Sequence, residues 1–357
     1  MNAAALADVQ ILGASGYGGG ELLRLLAAHP HIAAVGGQSR SHAGKPFHAV
    51  LPNLRGVLPG NFTAEVDWAA LARSPHPVLF AALPHGEFAR QYGALQDQWQ
   101  TFGLTERLTV IDLSGDFRLD DGATFQRAYH AAHPCPEQLG HFVYGLSEYR
   151  RDALLGAKRI ANPGCFATAI ALGLLPLADL PRELRPGFVA VSAITGSSGS
   201  GASPGEGTHH PLRAHDFRAY KVLAHQHEAE IEGIARAQGH VPRLAFTPHS
   251  APLVRGIHAT LQFEYAPDAA DILHAAYRLR YPDGGFVRLS AAPPRLAAVV
   301  GSNFVDLQLT LRDGLACVLV ALDNLVKGMA GQAVQNLNLA LGWREDAGLR
   351  QPALWPG

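Results

Sequence analysis

One cysteine stands in a setting that suits a nucleophile. Cys165 lies in the segment Asn162-Pro-Gly-Cys165-Phe-Ala-Thr-Ala, where a loop enters a predicted helix. Backbone amides and the helix dipole at such a start stabilise a thiolate. Cys135 and Cys317 lack this setting, and Cys317 lies in an apolar strand pattern. We therefore predict that Cys165 is a nucleophile, the alternative being an inert buried thiol of the kind common in proteins.

A cysteine that forms and releases an acyl group needs an acid or base nearby, which is usually histidine. The chain has 18 histidines, so composition selects none of them. The segment Tyr220-Lys221-Val-Leu-Ala-His225-Gln-His227-Glu228 gathers two imidazoles, a cation and a carboxylate. Either imidazole could serve Cys165. A zinc pair is the alternative, but no Cys or second His pair completes it, and we predict no metal site.

A glycine-rich turn near the start of the chain could hold a diphosphate. Gly13-Ala-Ser15-Gly16-Tyr17-Gly18-Gly19 follows a strand-like run and leads into a helical one. Glycines there allow a tight turn and a close approach of the diphosphate to the helix N-terminus. Because glycine is abundant in this chain, the strand and helix context carries the prediction of dinucleotide binding over a purely structural turn.

The choice of dinucleotide depends on a region about 20 residues further on, where NAD sites usually place an acidic residue on the ribose. Here that region reads Gly37-Gln-Ser39-Arg40-Ser-His-Ala-Gly-Lys45. A guanidinium can pair with a 2′-phosphate, so Ser39 and Arg40 favour NADP. The alternative is a solvated basic loop.

Three more polar segments interrupt apolar surroundings. They are Leu83-Pro84-His85-Gly86, Asp112-Leu-Ser114-Gly-Asp116-Phe-Arg118 and Thr195-Gly-Ser197-Ser-Gly199-Ser-Gly201. The first two follow predicted strands, at the carboxyl edge where open parallel sheets bind ligands. The third can present backbone amides to an anion. Turn chemistry alone is the alternative for each.

The elements that must position these residues predict an α/β fold in two domains. Before residue 120, short apolar runs alternate with helical stretches, which indicates a Rossmann-type doubly wound parallel sheet. Predicted strands cover 9–12, 78–82 and 109–113, and predicted helices cover 21–28 and 87–96. After residue 162 a helix opens and β-branched or alternating segments follow with few helices between them. They indicate an α+β domain with a mixed or antiparallel sheet.

The predicted strands of the second domain cover 188–195, 244–248, 256–263 and 306–311. A last helix is predicted over 323–341, with Asp323 as a candidate cap. We therefore expect a dinucleotide-binding domain over 1–162, completed by the C-terminal helical region 323–357. A second domain over 163–322 would carry the cysteine, and its apolar sheet would be a reasonable dimer surface.

Composition narrows the class of protein further. The 357 residues suffice for two domains, and 48% of them are apolar and 17% charged, without an apolar run long enough to span a bilayer. The 29 Lys and Arg balance 30 Asp and Glu, so we expect neither nucleic acid nor a membrane as partner. Few cysteines and a start unlike a secretory signal indicate a cytoplasmic protein.

Taken together, these segments resemble the N-acetyl-gamma-glutamyl-phosphate reductase family, which is related to the aspartate-semialdehyde dehydrogenases. The resemblance covers nearly the whole chain. It runs through GASGYGG, SRSHAGK, ALPHG, DLSGDFRL, NPGCFATA, FRAYKVLAHQHEAEIE and VRGI to GSN at Gly301 and ALDNLVKGMAGQAVQNLNLALGW ending at Trp343. It implies an NADP-binding Rossmann domain, a catalytic and dimerisation domain, and a homodimer or homotetramer.

The resemblance also implies a reaction. A cysteine attacks an acyl phosphate, or an aldehyde in the reverse direction, and NADPH exchanges hydride with the thioester or thiohemiacetal while phosphate leaves or enters. Cys165 is then the nucleophile and His225 the acid or base, although His227 is an alternative. Arg118 and Arg255 are candidates for the substrate carboxylate and phosphate in either order. Asn324 is expected near the nicotinamide.

The site predicted in this way has three parts. The catalytic residues are Cys165 and His225. The NADP-binding residues are Gly13, Ser15, Gly16, Tyr17, Gly18, Gly19, Ser39, Arg40, Leu83, Pro84, His85, Ser114 and Asn324. The substrate-binding residues are Arg118, Ser197, Gly199, His209, Tyr220, Lys221, His227, Glu228 and Arg255.

Two substrates fit the resemblance. Family members for arginine synthesis commonly read NPGCYPTA, whereas Phe166 and Ala167 replace Tyr and Pro here. A sister group reduces aminoadipyl phosphate attached to a small acidic carrier protein in lysine synthesis, and it shares the Ala-Thr-Ala ending and resembles the segment 202–211. The acetylglutamyl substrate is favoured. A non-catalytic NADP-binding regulator and a cofactor-free cysteine hydrolase are the alternatives of other classes.

Overall fold

The computed structural model describes residues 6–355. The chain divides into two compact units. The first consists of the described part of Met1–Pro163 together with Met329–Arg350. The second consists of Gly164–Gly328 together with the described part of Gln351–Gly357.

The first unit contains a sheet of seven parallel strands in the order β3-β2-β1-β4-β5-β7-β6. Its strands are β1 (Ala7–Leu12), β2 (Ile32–Gln38), β3 (Phe62–Thr63), β4 (His76–Ala81), β5 (Thr109–Asp112), β6 (Val143–Tyr144) and β7 (Arg159–Ala161). The central strands β1, β4 and β5 are mostly apolar and almost entirely buried, as is typical of strands covered on both faces. The doubly wound parallel sheet predicted for this region is confirmed.

Helices of this unit fall between the strands. They are α1 (Tyr17–Leu26), α2 (Phe47–Val50), α3 (Trp68–Arg73), α4 (Glu87–Thr101), α5 (Gly122–Tyr129), α6 (Ser147–Leu154) and, after the second unit, α11 (Gly331–Ala340). Aromatic side chains of α3 and α4 share one core with the sheet, including Trp68, Tyr92 and Trp99. Helix α11 contacts α1, α6 and β5. This packing holds the carboxyl ends of the strands, and the turns that follow them, in place.

The second unit contains a mixed sheet of seven strands in the order β12-β13-β14-β11-β8-β10-β9. Its elements are α7 (Cys165–Ala178), β8 (Phe188–Thr195), α8 (His210–Arg213), β9 (Arg218–Ala219), α9 (His227–Ala237), β10 (Arg243–Ser250), β11 (Ile257–Glu264), α10 (Ala270–Arg280), β12 (Val287–Leu289), β13 (Val305–Arg312) and β14 (Leu315–Leu322). The almost wholly buried α7 packs against β11 and β14, and α9 and α10 pack against α7. The mixed sheet predicted here is confirmed.

Three local predictions were wrong. The second unit was expected to have few helices, but α9 and α10 each run for 11 residues. The buried Leu273, Ala276 and Tyr277 of α10 follow the helical spacing that the prediction overlooked. Helix α1 begins at Tyr17 rather than Glu21, because the low helix propensity of glycine hid its first turn. The helix expected from residue 323 is instead a π-helical turn, Val326–Ala330, followed by α11.

Candidate functional site

The glycine-rich turn between β1 and α1 closes only with glycine at two of its positions. Gly13 has a left-handed φ of +73°, which favours glycine. A Cβ at Gly19 would lie 2.5 Å from Ala14 Cα and 2.6 Å from the Gly13 oxygen. Gly16 is the N-cap of α1 and no side chain caps the helix. The turn thus presents first-turn amides at a helix N-terminus, which is the arrangement that receives a diphosphate.

The end of β2 contributes hydroxyl groups to the same turn. Ser15 Oγ and Ser39 Oγ are 2.8 Å apart, and Ser39 is buried at the start of a short turn through Arg40. Arg40 is exposed, with its guanidinium 3.9 Å from the exposed carboxylate of Glu65. Such a pair adds little stability. The structure therefore brings Ser15, Ser39 and the glycine turn together, and it places Arg40 beside Glu65, an exposed carboxylate that the sequence analysis did not consider.

The loops after β4 and β5 are joined by hydrogen bonds. The Gly115 N–H donates to Nδ1 of His85 at 2.7 Å, so the proton of the neutral ring lies on Nε2. The Asp116 carboxylate accepts the N–H groups of Gly86 at 2.5 Å and Ala89 at 2.9 Å. Pro84 and His85 are exposed beside half-buried Leu83. The predicted segments 83–86 and 112–118 thus form one assembly at the carboxyl edge of the sheet.

Two buried carboxylates underlie this assembly. Asp112 accepts hydrogen bonds from the N–H of Ser114 at 2.8 Å and from its hydroxyl at 2.9 Å. Burial, and next the neighbouring charge of Asp116, raise the pKa of Asp112 to about 7, although the Ser114 hydrogen bonds oppose the rise. Neither carboxylate was predicted as a site residue. The available signal was their position at the carboxyl end of β5, where Asp112 is the last residue of the strand and Asp116 lies in the loop that follows.

Arg118 was predicted to bind a substrate anion, and its surroundings within its own unit are mainly backbone oxygens. Its Nε donates to the Asn162 oxygen at 2.8 Å, and its Nη2 donates to the Leu113 oxygen at 3.0 Å. The side chain is buried. Arg118 therefore joins the residues that follow β5 and β7.

Cys165 is the first residue of α7, with Gly164 as the N-cap. The Gly164 N–H donates to Oε2 of Glu230 at 2.9 Å, and the Glu230 side chain is fully buried. Oε1 of the same carboxylate is 3.9 Å from Nε2 of His227, one turn earlier on α9. The His227 ring fills the space that a Cβ at Gly164 would need. Glu230 was missed, although its spacing of three from His227 places both on one helix face.

His225 lies immediately before α9, with its ring centroid 4.6 Å from that of His227 and 5.4 Å from that of Phe166 on α7. Its Nδ1 accepts the His227 N–H at 3.2 Å, which leaves the proton of the neutral ring on Nε2. Burial first, then His227 and Lys221, lower the pKa of His225 to about 3, against the opposing charge of Glu230. His225 is therefore a neutral hydrogen-bond donor at pH 7.

The remaining polar groups of this segment surround His225. Its N–H donates to Oε1 of Glu228 at 3.0 Å, and burial is the main cause that raises the pKa of Glu228. The Tyr220 ring is 5.9 Å from the His225 ring. Burial, followed by the charge of a Cys165 thiolate, raises the pKa of Tyr220. The structure thus groups Cys165, His225, His227, Glu228 and Tyr220, as one site requires.

Lys221 and His209 lie further out. Lys221 is exposed and donates from Nζ to Oε1 of Gln226 at 2.8 Å. Both Lys221 and Leu223 adopt left-handed φ values, of +45° and +53°. His209 is exposed at the start of α8. The structure gives neither of these two residues a place in the buried cluster around His225.

A second polar group of this unit contains Asn324. Its Oδ1 accepts the Gly256 N–H at 2.7 Å, and its Nδ2 donates to Ser198 Oγ at 3.0 Å. It therefore ties the loop of Ser197 and Gly199 to the segment that begins at Arg255. Arg255 Nη1 lies 3.3 Å from Oδ2 of Asp323, a buried carboxylate that the sequence analysis considered only as a helix cap.

Two kinds of feature are absent from residues 6–355. No group of three or more His, Cys, Asp or Glu side chains in that range is arranged to hold a metal ion. Over the same range, no helix has both the length and the apolar character needed to cross a membrane.

Comparisons with known proteins agree with this architecture. The "Semialdehyde dehydrogenase, NAD binding domain" family matches residues 8–157, and the "Semialdehyde dehydrogenase, dimerisation domain" family matches residues 165–324. Among solved structures, aspartate semialdehyde dehydrogenase II of Vibrio cholerae has a TM-score of 0.67 at 17% identity, over 94% of this chain and 98% of that one. At this identity the likeness shows the fold alone.

Closer relatives show the family. The chain is 41% identical to the N-acetyl-gamma-glutamyl-phosphate reductase of Desulforudis audaxviator, over 98% of this chain and 99% of that protein. It is 39% identical to the [LysW]-L-2-aminoadipate 6-phosphate reductase of Deinococcus radiodurans, over 98% of each. The chain is therefore an oxidoreductase that belongs to the semialdehyde dehydrogenase family and, within it, to the N-acetyl-gamma-glutamyl-phosphate reductase family.

Proposed function

We propose that this protein reduces an acyl phosphate to an aldehyde with NADPH, through a thioester on Cys165. The observation that carries the proposal is the position of Cys165 at the first residue of α7, with the Gly164 N–H held by buried Glu230. The favoured substrate is N-acetyl-gamma-glutamyl phosphate, and the product is N-acetylglutamate semialdehyde. This is a step of arginine biosynthesis.

The chemistry begins at Cys165. Its thiolate attacks the acyl carbon, the bond from that carbon to the phosphate oxygen breaks, and inorganic phosphate leaves. First-turn amides of α7 support the thiolate and the oxygen of the tetrahedral intermediate. NADPH, when bound, supplies a hydride to the carbon of the resulting thioester, which is activated enough to accept it.

His225 stabilises the last intermediate of the cycle as a neutral hydrogen-bond donor. The neutral ring carries its proton on Nε2, because Nδ1 accepts the His227 N–H. We propose that Nε2 donates a hydrogen bond to the oxyanion that forms when the thioester carbon accepts hydride, and that the ring keeps its proton throughout. The oxyanion then re-forms the carbonyl group, the carbon–sulfur bond breaks, and the aldehyde leaves with Cys165 restored as the thiolate. His227 and Glu228 orient His225.

The first unit fits the dinucleotide. The glycines at 13 and 19 leave no room for side chains, and the α1 N-terminus suits the diphosphate. Ser39 and Arg40 would take the 2′-phosphate of NADP. Ser15, Gly16, Tyr17, Gly18, Leu83, Pro84, His85 and Ser114 would line the same site, and Asn324 of the second unit would serve the nicotinamide end.

Arg255 is the favoured group for a substrate anion. Its side chain is 27% exposed and its Nη1 is tethered to a buried carboxylate, so the guanidinium is held in place at an accessible position. Ser197 and Gly199 would add donors. Arg118 stays a second candidate, since its guanidinium already serves two backbone oxygens. His209, Tyr220 and Lys221 would lie along the substrate.

A second candidate substrate is the carrier-linked aminoadipyl phosphate of lysine biosynthesis. The observation that favours it is the segment Phe166-Ala167-Thr168-Ala169, which departs from the arginine-pathway pattern, together with relatives of both kinds at nearly equal identity. We further propose a cytoplasmic homodimer or homotetramer that assembles through the second unit.

The reverse reaction tests the proposal. NADPH formation would be followed from N-acetylglutamate semialdehyde, inorganic phosphate and NADP, with the Cys165→Ser variant as control. Turnover that needs both phosphate and Cys165 supports the arginine-pathway reaction. Turnover with only the carrier-linked aminoadipate semialdehyde transfers the same mechanism to the second substrate. No phosphate-dependent turnover with either aldehyde would overturn the proposal.

A further inference from the structure

A turn of unusual geometry follows β14. The N–H of Gly328 donates to the backbone oxygen of Asp323 at 2.8 Å, a span of five residues that is typical of a π-helix. Such turns are rare and frequently occur at functional sites. We call residues 323–328 the Asp323 turn.

Asp323 collects four donors from three segments of the second unit. Its Oδ1 accepts the N–H groups of Leu325 at 2.7 Å and Val326 at 3.0 Å. Its Oδ2 accepts the Gly301 N–H at 2.7 Å and a hydrogen bond from Arg255 Nη1 at 3.3 Å. The side chain has no exposed surface. A buried carboxylate with this set of partners has a fixed position and fixes theirs.

The other end of the Asp323 turn packs against the cysteine. A Cβ placed on Gly328 would lie 2.8 Å from Cys165 Cβ and 3.3 Å from Cys165 Cα. Bare backbone at 328 is thus part of the wall beside the nucleophile. The same turn therefore contacts Cys165 through Gly328 and Arg255 through Asp323.

We infer that Asp323 is a positioning residue that fixes the Arg255 guanidinium and, through the turn ending at Gly328, the place of Cys165. This inference rests on the proposed function, in which Cys165 attacks an anionic substrate bound by Arg255. One buried carboxylate then sets both the nucleophile and the anion-binding group, and correct placement of reacting groups contributes strongly to rate.

The Asp323→Asn variant tests this inference. Asparagine keeps an oxygen for the Leu325 and Val326 N–H groups but turns a donor toward Gly301 or Arg255. Arg255 then loses its charged hydrogen-bond acceptor and is no longer held in place. In the reverse reaction, KM for the anion that Arg255 binds, either phosphate or the aldehyde substrate, should therefore rise about tenfold or more. The alkylation rate of Cys165 by iodoacetamide, read at that cysteine by mass spectrometry, should change as well.

Two further variants distinguish the effect on the Arg255 guanidinium from the effect on Cys165. Arg255→Lys should reproduce the rise in KM but leave the alkylation rate as in the wild type. Gly328→Ala should change the alkylation rate and lower kcat about tenfold or more, with KM for the anion unchanged. In the double variant Asp323→Asn/Arg255→Lys, KM should be no higher than in Arg255→Lys alone, because both changes act through one guanidinium.

Asp346→Asn is the matched control, since Asp346 collects Arg344 and Arg350 in the first unit and touches no proposed site residue. A KM no higher in Asp323→Asn than in this control, or full additivity with Arg255→Lys, would overturn the inference. If Asp323→Asn does not fold, the Gly328→Ala variant tests the inference instead. An alkylation rate of Cys165 and a kcat that both stay at the wild-type values in Gly328→Ala would overturn the inference. Wild-type protein without turnover is instead a failure of the proposed function, and the alkylation comparison still reports on the turn.

Discussion

The molecule contains two strand-to-helix turns that share a backbone design and differ in what surrounds them. The N-cap of α1, Gly16, has φ −75° and ψ 171°, and the N-cap of α7, Gly164, has φ −71° and ψ 147°. Neither helix is capped by a side chain of its N-cap residue. Both turns therefore present a similar helix start, with first-turn amides directed outward.

The partners of the two turns make the difference. Around α1, hydroxyls of Ser15 and Ser39 adjoin a glycine turn, which suits a phosphate. At α7, the buried carboxylate of Glu230 takes the N-cap N–H, and the rings of His225 and His227 pack beside Phe166. In the proposed function, a similar helix start would therefore serve an anionic ligand in one unit and a reactive thiol in the other.

The largest effect should come from the nucleophile. In the Cys165→Ser variant, kcat should fall by about a thousandfold or more, because a serine hydroxyl in this setting is a far weaker nucleophile than a thiolate. NADPH affinity, measured by fluorescence titration, should stay at the wild-type value. Activity that survives this change would contradict covalent catalysis at α7.

The next effect should appear at the other turn. Gly19→Ala places a methyl group against Ala14 and the Gly13 oxygen, so the backbone must shift. A shift of this kind costs about 1–3 kcal/mol, and NADPH should bind about 10- to 100-fold more weakly. Alkylation of Cys165 without nucleotide should be unaffected. Gly93→Ala in the exposed middle of α4, where a Cβ meets no atom within 4 Å, is the control.

Two substitutions of Glu230 separate the effect of its charge on His227 from the effect of its hydrogen bond with the Gly164 N–H. Glu230→Ala leaves the Gly164 N–H without its acceptor and should lower the free energy of unfolding by about 1–3 kcal/mol. Glu230→Gln offers an amide oxygen to the same N–H, so it should recover part of that stability. Both variants remove the charge that faces His227, and kcat should fall about tenfold in each. Wild-type kcat in Glu230→Gln would show that the hydrogen bond alone is needed.

The pH dependence of stability separates the two turns again, because only the second contains a buried histidine pair. His225 has a folded pKa of about 3, below the ordinary 6.5 of an unfolded chain. As the pH falls below 6.5, His225 becomes protonated in the unfolded state but stays neutral in the folded state. The stability that the neutral His225 contributes is therefore fully present above pH 6.5 and is lost as the pH falls toward 3. By pH 5 the free energy of unfolding should have decreased by about 2 kcal/mol from this cause.

Denaturant unfolding at pH 7 and pH 5 measures this contribution. His225→Gln should remove that part of the pH dependence, while the part that comes from other histidines such as His29, whose pKa is also lowered mainly by burial, should persist. Equal pH dependence in the variant and the wild type would mean that His225 is charged, or exposed, in the folded protein.

The sequence predicted the sheets far better than the partners within the site. The predicted strand 188–195 coincides with β8. Its apolar and β-branched residues are typical of a strand, and such a local pattern can be recognised without knowing what the strand packs against. The glycine-rich turn at residues 13–19 was recognised because it follows a strand-like run and precedes a helical one, and Cys165 was recognised because it lies where a loop enters a predicted helix. Local pattern is sufficient for such features.

The carboxylates that organise the site were not readable in this way. Glu230 meets Gly164 across 66 positions of sequence, and Asp323 meets Arg255 across 68. Only the folded topology brings these pairs together, and a carboxylate inside a helical or turn pattern looks like a solvated one. Asp116 is the same case, because it serves the start of α4 from the loop after β5.

The smallest effect should come from Arg40, which belongs to the first turn but lies in solvent. Its side chain is 72% exposed, so water and salt screen its charge. Arg40→Ala should weaken NADPH binding by about fivefold or less, since an exposed ion pair contributes about 0.2–1 kcal/mol. NADH binding should be unchanged, because only NADPH carries the 2′-phosphate that a guanidinium can pair with. Glu65→Gln removes the carboxylate 3.9 Å away and should not weaken NADPH. Equal losses for both dinucleotides in Arg40→Ala would assign Arg40 to the loop structure, and selectivity at this turn would then rest on the hydroxyls of Ser15 and Ser39.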